Sequence, residues 1–166
     1  MFDLGPFRVL TGFLVLSLAG CWESRKSPSE YSQEGLRLSQ SATRSELSPL
    51  NVVPQNESRA SGSVVTTLDK DHSIGIAIGA KNLSSSVSGV YFHLAPAGEN
   101  GAVVGDLMAS KLYMQTVKST LDMQATWKPS SAEWQAAKSG QLYIDIHTAK
   151  YPNGEVRAQI VPAPGW

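Results

Sequence analysis

Two histidines, His93 and His147, lie in stretches where apolar and polar residues alternate, and each follows a polar residue by two positions: Tyr91 before His93, Asp145 before His147. Glu155 and Arg157 repeat that spacing a few residues later. A period of two puts such pairs on one face of a strand. Imidazole and carboxylate groups on adjacent strands can converge on a borderline divalent cation, so His93 and His147, with Asp145 or Glu155, form a candidate metal set. The competing reading is a hydrogen-bonded polar ladder over Tyr91, His93, Asp145, His147, Glu155 and Arg157, with Glu155 and Arg157 as a same-face charge pair. The ladder is the favoured reading. No catalytic residue is assigned, and no cofactor is expected beyond the alternative divalent metal.

Several reaction classes can be weighed on residue types. Three histidines are too few for the paired metals of a copper-zinc dismutase, and His72 falls in a polar turn. The many serines include no Gly-x-Ser-x-Gly elbow of a serine hydrolase. A glycosidase would need two opposed carboxylates, and Asp145 with Glu155, on neighbouring strands, suit structural contacts better. Fourteen basic side chains balance fourteen acidic ones, so no basic footprint points to nucleic acid. Trp127, Trp134 and Trp166 are read as filling gaps around a small core.

Strands must carry these residues. Val64, Thr66 and Leu68 alternate with Ser63, Val65 and Thr67, and Ile74, Ile76 and Ile78 are separated by Gly75 and Ala77. The polar Asp69 to Ser73 stretch between them predicts an antiparallel hairpin. A third strand places Val90, Phe92 and Leu94 opposite Tyr91 and His93. Ala95 to Gly105, rich in glycine and containing Asn100-Gly101, predicts a loop or hairpin turn. Two short strands follow at Leu112 to Val117 and Thr120 to Thr126. Ser130 with Glu133 three residues on makes a capping box, and Gly140 offers a stop, so a two-turn helix is expected between them. Leu142, Ile144 and Ile146 then alternate with Tyr143, Asp145 and His147, Pro152-Asn153-Gly154 reverses the chain, and Val156, Ala158 and Ile160 form a second apolar face.

The N-terminus gives a location. Val9 to Ala19 has the length of a signal-peptide apolar core, although Asp3 offsets Arg8 before it, and it is too short to span a bilayer. Leu18-Ala19-Gly20-Cys21 resembles the bacterial lipobox, in which the cysteine is acylated and becomes the mature N-terminus. Residues 1–20 are thus expected to be a lipoprotein signal peptide, 21–45 a lipidated N-terminus with a flexible serine-rich tether of roughly 25 to 30 Å reach, and 46–166 the folded domain. The expected partners are membrane lipid, through acylated Cys21, and an envelope protein or ligand of unknown identity, with no nucleic acid. The expected location is extracytoplasmic in the cell envelope. Trp22 after the cysteine favours the outer membrane in a Gram-negative cell. Asn56-Glu57-Ser58 and Asn82-Leu83-Ser84 fit the N-glycosylation pattern but carry little weight in a bacterial lipoprotein.

Val90-Tyr91-Phe92-His93, Ala95-Pro96-Ala97-Gly98-Glu99-Asn100-Gly101, Gly140-Gln141-Leu142-Tyr143, Ile146-His147-Thr148, Pro152-Asn153-Gly154-Glu155 and Arg157 together resemble the CHRD domain, named for chordin and widespread in bacterial exported proteins. The resemblance runs from roughly Glu46 to Pro162. It implies an all-β, antiparallel immunoglobulin-like or superoxide-dismutase-like β-sandwich with one short helix, acting as a binding or structural module. Tyr91 stands where the family commonly has the first histidine of a His-x-His pair, and Asp145 where asparagine is common. Both departures bear on the metal alternative, for which His93 and His147 remain the candidates.

Overall fold

The computed structural model describes residues 42–69, 71–162 and 166. Cys21, the signal segment and most of the tether lie outside the described residues. Among the described residues, nine strands form two antiparallel sheets. The first contains β1 (Ala42–Leu47), β2 (Ser61–Leu68), β3 (Ile74–Lys81), β6 (Lys111–Val117) and β7 (Thr120–Trp127), in the order β1-β2-β3-β7-β6. The second contains β4 (Val87–Leu94), β5 (Ala102–Asp106), β8 (Leu142–Thr148) and β9 (Val156–Gln159), in the order β5-β4-β8-β9. The chain is an all-β sandwich with one short helix, α1 (Ser131–Lys138), leading into β8.

Alternation decides what lies between the sheets. On β3, Ile74, Ile76 and Ile78 point inward and are buried, while Ala77 and Gly79 face out and are exposed. Leu121, Met123 and Ala125 of β7 continue that layer. From the second sheet, Val90 and Phe92 of β4, Leu142, Ile144 and Ile146 of β8, and Val156 and Ala158 of β9 meet them. Phe92 packs on Trp127 with ring centroids 4.8 Å apart, joining the sheets through one aromatic pair. Gly105 makes room for this pair, since a Cβ there would lie 2.9 Å from the Trp127 ring nitrogen.

The expected hairpins form, with β2 and β3 joined by a turn in which His72 takes a left-handed φ of 61°. Helix α1 carries both capping-box bonds: Glu133 N donates to Ser130 Oγ at 3.4 Å and Ser130 N to Glu133 Oε2 at 2.6 Å. Two strands are additional to the sequence reading. Ala42 to Ser45, assigned to the tether, are the first part of β1, and Ala102 to Gly105, assigned to the loop, belong to β5. Both are edge strands with few buried positions, so neither carries a full alternating pattern.

One side of the sandwich is closed. After β1 the chain leaves the first sheet and Ser48 pairs with Arg157 of β9, with Ser48 N to Arg157 O at 3.0 Å and Arg157 N to Ser48 O at 3.1 Å. The following segment, residues 49–60, runs along β9. Asn51 Nδ2 donates to Arg157 O at 3.1 Å, and Asn56 Nδ2 donates to Gly154 O and Glu155 O at 3.2 and 3.1 Å. No helix among the described residues is long and apolar enough to cross a membrane.

Removing the aromatic pair that joins the sheets should be costly. Phe92→Ala is expected to lower unfolding stability by about 3–5 kcal/mol, measured by urea denaturation.

Candidate functional site

The polar residues singled out in the sequence occupy the outer face of the second sheet, the face turned away from the core. Register fixes a small lattice there: Gly89 lies opposite His147, Tyr91 opposite Asp145 and then Arg157, and His93 opposite Tyr143 and then Gln159. An outer face would ordinarily be wet, but this one is roofed by the loop from Ala95 to Gly101 and flanked by the segment along β9. Asp145 is 1 % exposed, Arg157 4 % and His93 7 %. His147 and Tyr91 are partly exposed at the rim.

Asp145 is the centre. Its Oδ1 lies 3.0 Å from His93 Nε2 and 2.9 Å from His147 Nε2, and its Oδ2 lies 3.4 Å from Arg157 Nη2. The two imidazoles approach nearly parallel, 13° apart with centroids 6.3 Å apart. Each ring is fixed from behind by a backbone carbonyl: His93 Nδ1 is 3.0 Å from Gly101 O and His147 Nδ1 is 2.8 Å from Pro152 O. A carbonyl oxygen only accepts, so both Nδ1 atoms carry a proton and donate it.

Burial alone would raise the Asp145 pKa, but hydrogen bonds from His147 and His93 outweigh it and hold the carboxyl below its ordinary range. Burial likewise works against a charged His147, and the hydrogen bond and negative charge of Asp145 outweigh it, so this imidazole is held above the ordinary histidine value.

Further contacts fix the roof. Arg157 Nη1 donates to Glu99 O at 3.0 Å and Nη2 to Asn100 Oδ1 at 2.8 Å, while its guanidinium lies over the Tyr143 ring at 3.9 Å. The Tyr143 ring also supports His93, which stacks on it with centroids 4.8 Å apart and planes 3° apart. Tyr143 Oη accepts from Gly101 N at 3.0 Å, and Asn100 Nδ2 donates to Val53 O at 2.9 Å. Gly101 must be glycine here: a Cβ would lie 1.9 Å from Leu94 O.

The structure brings together His93, Asp145, His147 and Arg157 of the candidate face. Tyr91 stands directly opposite Asp145 but does not engage it. Its ring leans over Gly89, where a Cβ would meet it at 2.2 Å, and meets His147 edge-on at 5.1 Å. Glu155 departs from the sequence reading. Instead of pairing with Arg157 it is fully buried at the far end of the face, where Oε1 accepts from Ser58 Oγ (2.6 Å), Ser84 N (2.8 Å) and Ser84 Oγ (2.7 Å), and Oε2 accepts from Thr148 Oγ1 (2.7 Å). Arg157 therefore pairs with Asp145, and Glu155 stands apart from the histidines. Asn56 and Ser58, noted in the sequence only as a glycosylation pattern, serve as internal hydrogen-bonding groups. Gly89, Gly101, Asn100 and Tyr143 were not among the candidates. A glycine inside an alternating strand was the available signal for Gly89.

Residues 43–160 match the model of the CHRD domain. The chain belongs to the CHRD domain family. No curated protein and no solved structure matches it. The family match begins one residue after β1 starts and ends one residue after β9, so it spans both sheets of the sandwich. In this CHRD domain, the paired sequence blocks around His93 and His147 are the two strands that meet at Asp145.

The Glu155 cluster makes stability depend on acid. Burial would raise its pKa, but hydrogen bonds from Ser58, Thr148 and Ser84 outweigh it and hold the carboxyl below its ordinary value of 4.5. A folded pKa below the unfolded one contributes stability that is fully present above that ordinary value and lost as pH falls through the folded value. Glu155→Gln keeps one side-chain oxygen for Ser58 and Ser84 and removes the charge. It is expected to flatten the loss of stability between about pH 5 and pH 3, followed by urea unfolding across that range. Glu155→Ala, which strands four donors, is expected to cost about 1–3 kcal/mol at neutral pH.

Proposed function

We propose that this chain is a lipid-anchored, extracytoplasmic protein whose CHRD domain acts as a binding or structural module of the cell envelope. The observation that carries the anchor is Leu18-Ala19-Gly20-Cys21 closing the apolar Val9 to Ala19 stretch, with the serine-rich sequence from Trp22 to Ser41 between the cysteine and β1. Small residues leading into a lone cysteine, followed at once by a polar stretch, are what a lipobox requires. Acylation would consume the one thiol of the chain, and the domain is organised accordingly: burial of the two apolar sheet faces holds it together.

The character of the polar centre supports binding or structure over turnover. Asp145 and Glu155 are buried and matched by hydrogen-bond partners from strands and loops, and the buried Arg157 is held through Nη1 and Nη2. Such a network orders a surface loop and gives it one shape, which a partner can recognise. Membrane lipid is the first partner in this reading, through Cys21. An envelope component is the second.

Metabolic labelling with a palmitate analogue, followed by mass spectrometry of membrane-extracted protein, tests the anchor. The expected product begins at Cys21 and carries lipid on its sulfur, and Cys21→Ser is expected to abolish labelling and release the protein from the membrane fraction. A mature chain that still carries Met1 and an unmodified Cys21 would refute the proposal.

A further inference from the structure

We infer that His93, Asp145 and His147 form a binding site for one borderline divalent cation of the zinc and copper class. The inference goes beyond the anchored module and stands whether or not Cys21 is acylated. Its basis is the direction in which each ring nitrogen points. Both Nδ1 atoms are occupied as donors to backbone carbonyls, Gly101 O and Pro152 O. With Nδ1 protonated, a neutral imidazole presents its lone pair at Nε2. Both Nε2 atoms face the same carboxylate oxygen of Asp145, and the three ligand atoms lie within 4.8 Å of one another.

A ligating histidine ordinarily donates its other ring N–H to a carbonyl or carboxylate, which fixes the tautomer and aims the ring. Both histidines here have that support. The carboxylate has its own: Arg157 holds Oδ2 at 3.4 Å, leaving Oδ1 turned toward the imidazoles. The cluster places two imidazole Nε2 atoms on one carboxylate oxygen, Oδ1, at 3.0 and 2.9 Å, and a divalent ion seated between them would supply a bond to each of the three atoms in place of that shared contact.

The required adjustment is small for the nitrogen–oxygen pairs. Ligands at about 2.0–2.2 Å from a tetrahedral ion lie about 3.3 Å apart, against the 2.9 and 3.0 Å between Oδ1 and the two nitrogens. Two nitrogens and one oxygen suit zinc or copper, whereas calcium and magnesium prefer shells of six or more oxygens or waters. Three protein ligands leave a fourth position. His147, with its side chain 16 % exposed, lies on the accessible side of the cluster, beside the Tyr91 ring.

The test uses the full chain carrying Cys21→Ser, which removes the thiol as a competing ligand, and titrates it calorimetrically with Zn2+, Cu2+ and Ca2+ as separate probes. One equivalent of Zn2+ or Cu2+ per chain is expected, with Ca2+ failing to compete. His147→Gln, at the partly exposed ligand, is expected to weaken Zn2+ binding by at least about 100-fold while the far-ultraviolet spectrum is retained. Should that variant fail to fold, the imidazole 15N resonances of the Cys21→Ser chain decide: Zn2+ must shift Nε2 of both His93 and His147 and leave His72 unmoved. Absence of stoichiometric Zn2+ or Cu2+ binding, unchanged affinity in folded His147→Gln, preference for Ca2+, or unshifted Nε2 resonances would each overturn the inference.

Discussion

A carboxylate removed from water must be matched by donors or opposite charge, and the fold on the outer side of the second sheet is arranged to do this for Asp145. Leaving such a charge unmatched costs several kcal/mol, comparable with the whole margin of stability of a small domain. Every neighbour of Asp145 is accordingly fixed by something else. His93 is stacked on Tyr143 and tied to Gly101, His147 is tied to Pro152, and Arg157 is held by Glu99 and Asn100. The roof over the face is thus shaped by polar matching, while the apolar core on the opposite side of the same strands supplies the burial that keeps those strands in place.

Four hydrogen bonds tie the roof to the rest of the domain. Gly101 offers its carbonyl to His93 and its amide to Tyr143, and Asn100 links Arg157 to Val53. A loop with two glycines in seven residues would cost much conformational entropy to order, and these bonds offset that cost. The Glu155 cluster does the corresponding work at the other end of the face, drawing Ser58 and Ser84 onto the β8–β9 turn. Two buried carboxylates, each with its own partners, therefore pin the irregular segments onto a regular sheet.

The sequence was most informative where alternation is strongest. In β8, up to His147, the inward residues are apolar and the outward ones polar, so Leu142, Ile144 and Ile146 could be assigned to the core, and Tyr143, Asp145 and His147 to the opposite face, from spacing alone. The same pattern identified β3, β4 and β9, and the Ser130 to Glu133 spacing identified α1. β1 was hidden because ATRSEL buries only Ser45 and Leu47 and continues a serine-rich stretch. β5 was hidden inside glycine-rich sequence. At the site, alternation gave the face but not the partners. Glu155 and Arg157 share a spacing, yet each binds groups 57 to 97 residues away, and the tertiary paths of residues 49–60 and 95–101 and of the turn carrying Ser84 determine those pairings.

The bridge between Ser48 and Arg157 also gives the molecule a mechanical axis. Tension applied to the chain ahead of Ala42 enters through β1, spreads over its register with β2, and passes at Ser48 directly into β9. Arg157 receives that load on its backbone and touches Asp145 with its side chain. The end of the domain nearest the N-terminus and its buried charged centre are therefore two steps apart along backbone hydrogen bonds, so a load entering ahead of Ala42 would reach the polar face through Arg157.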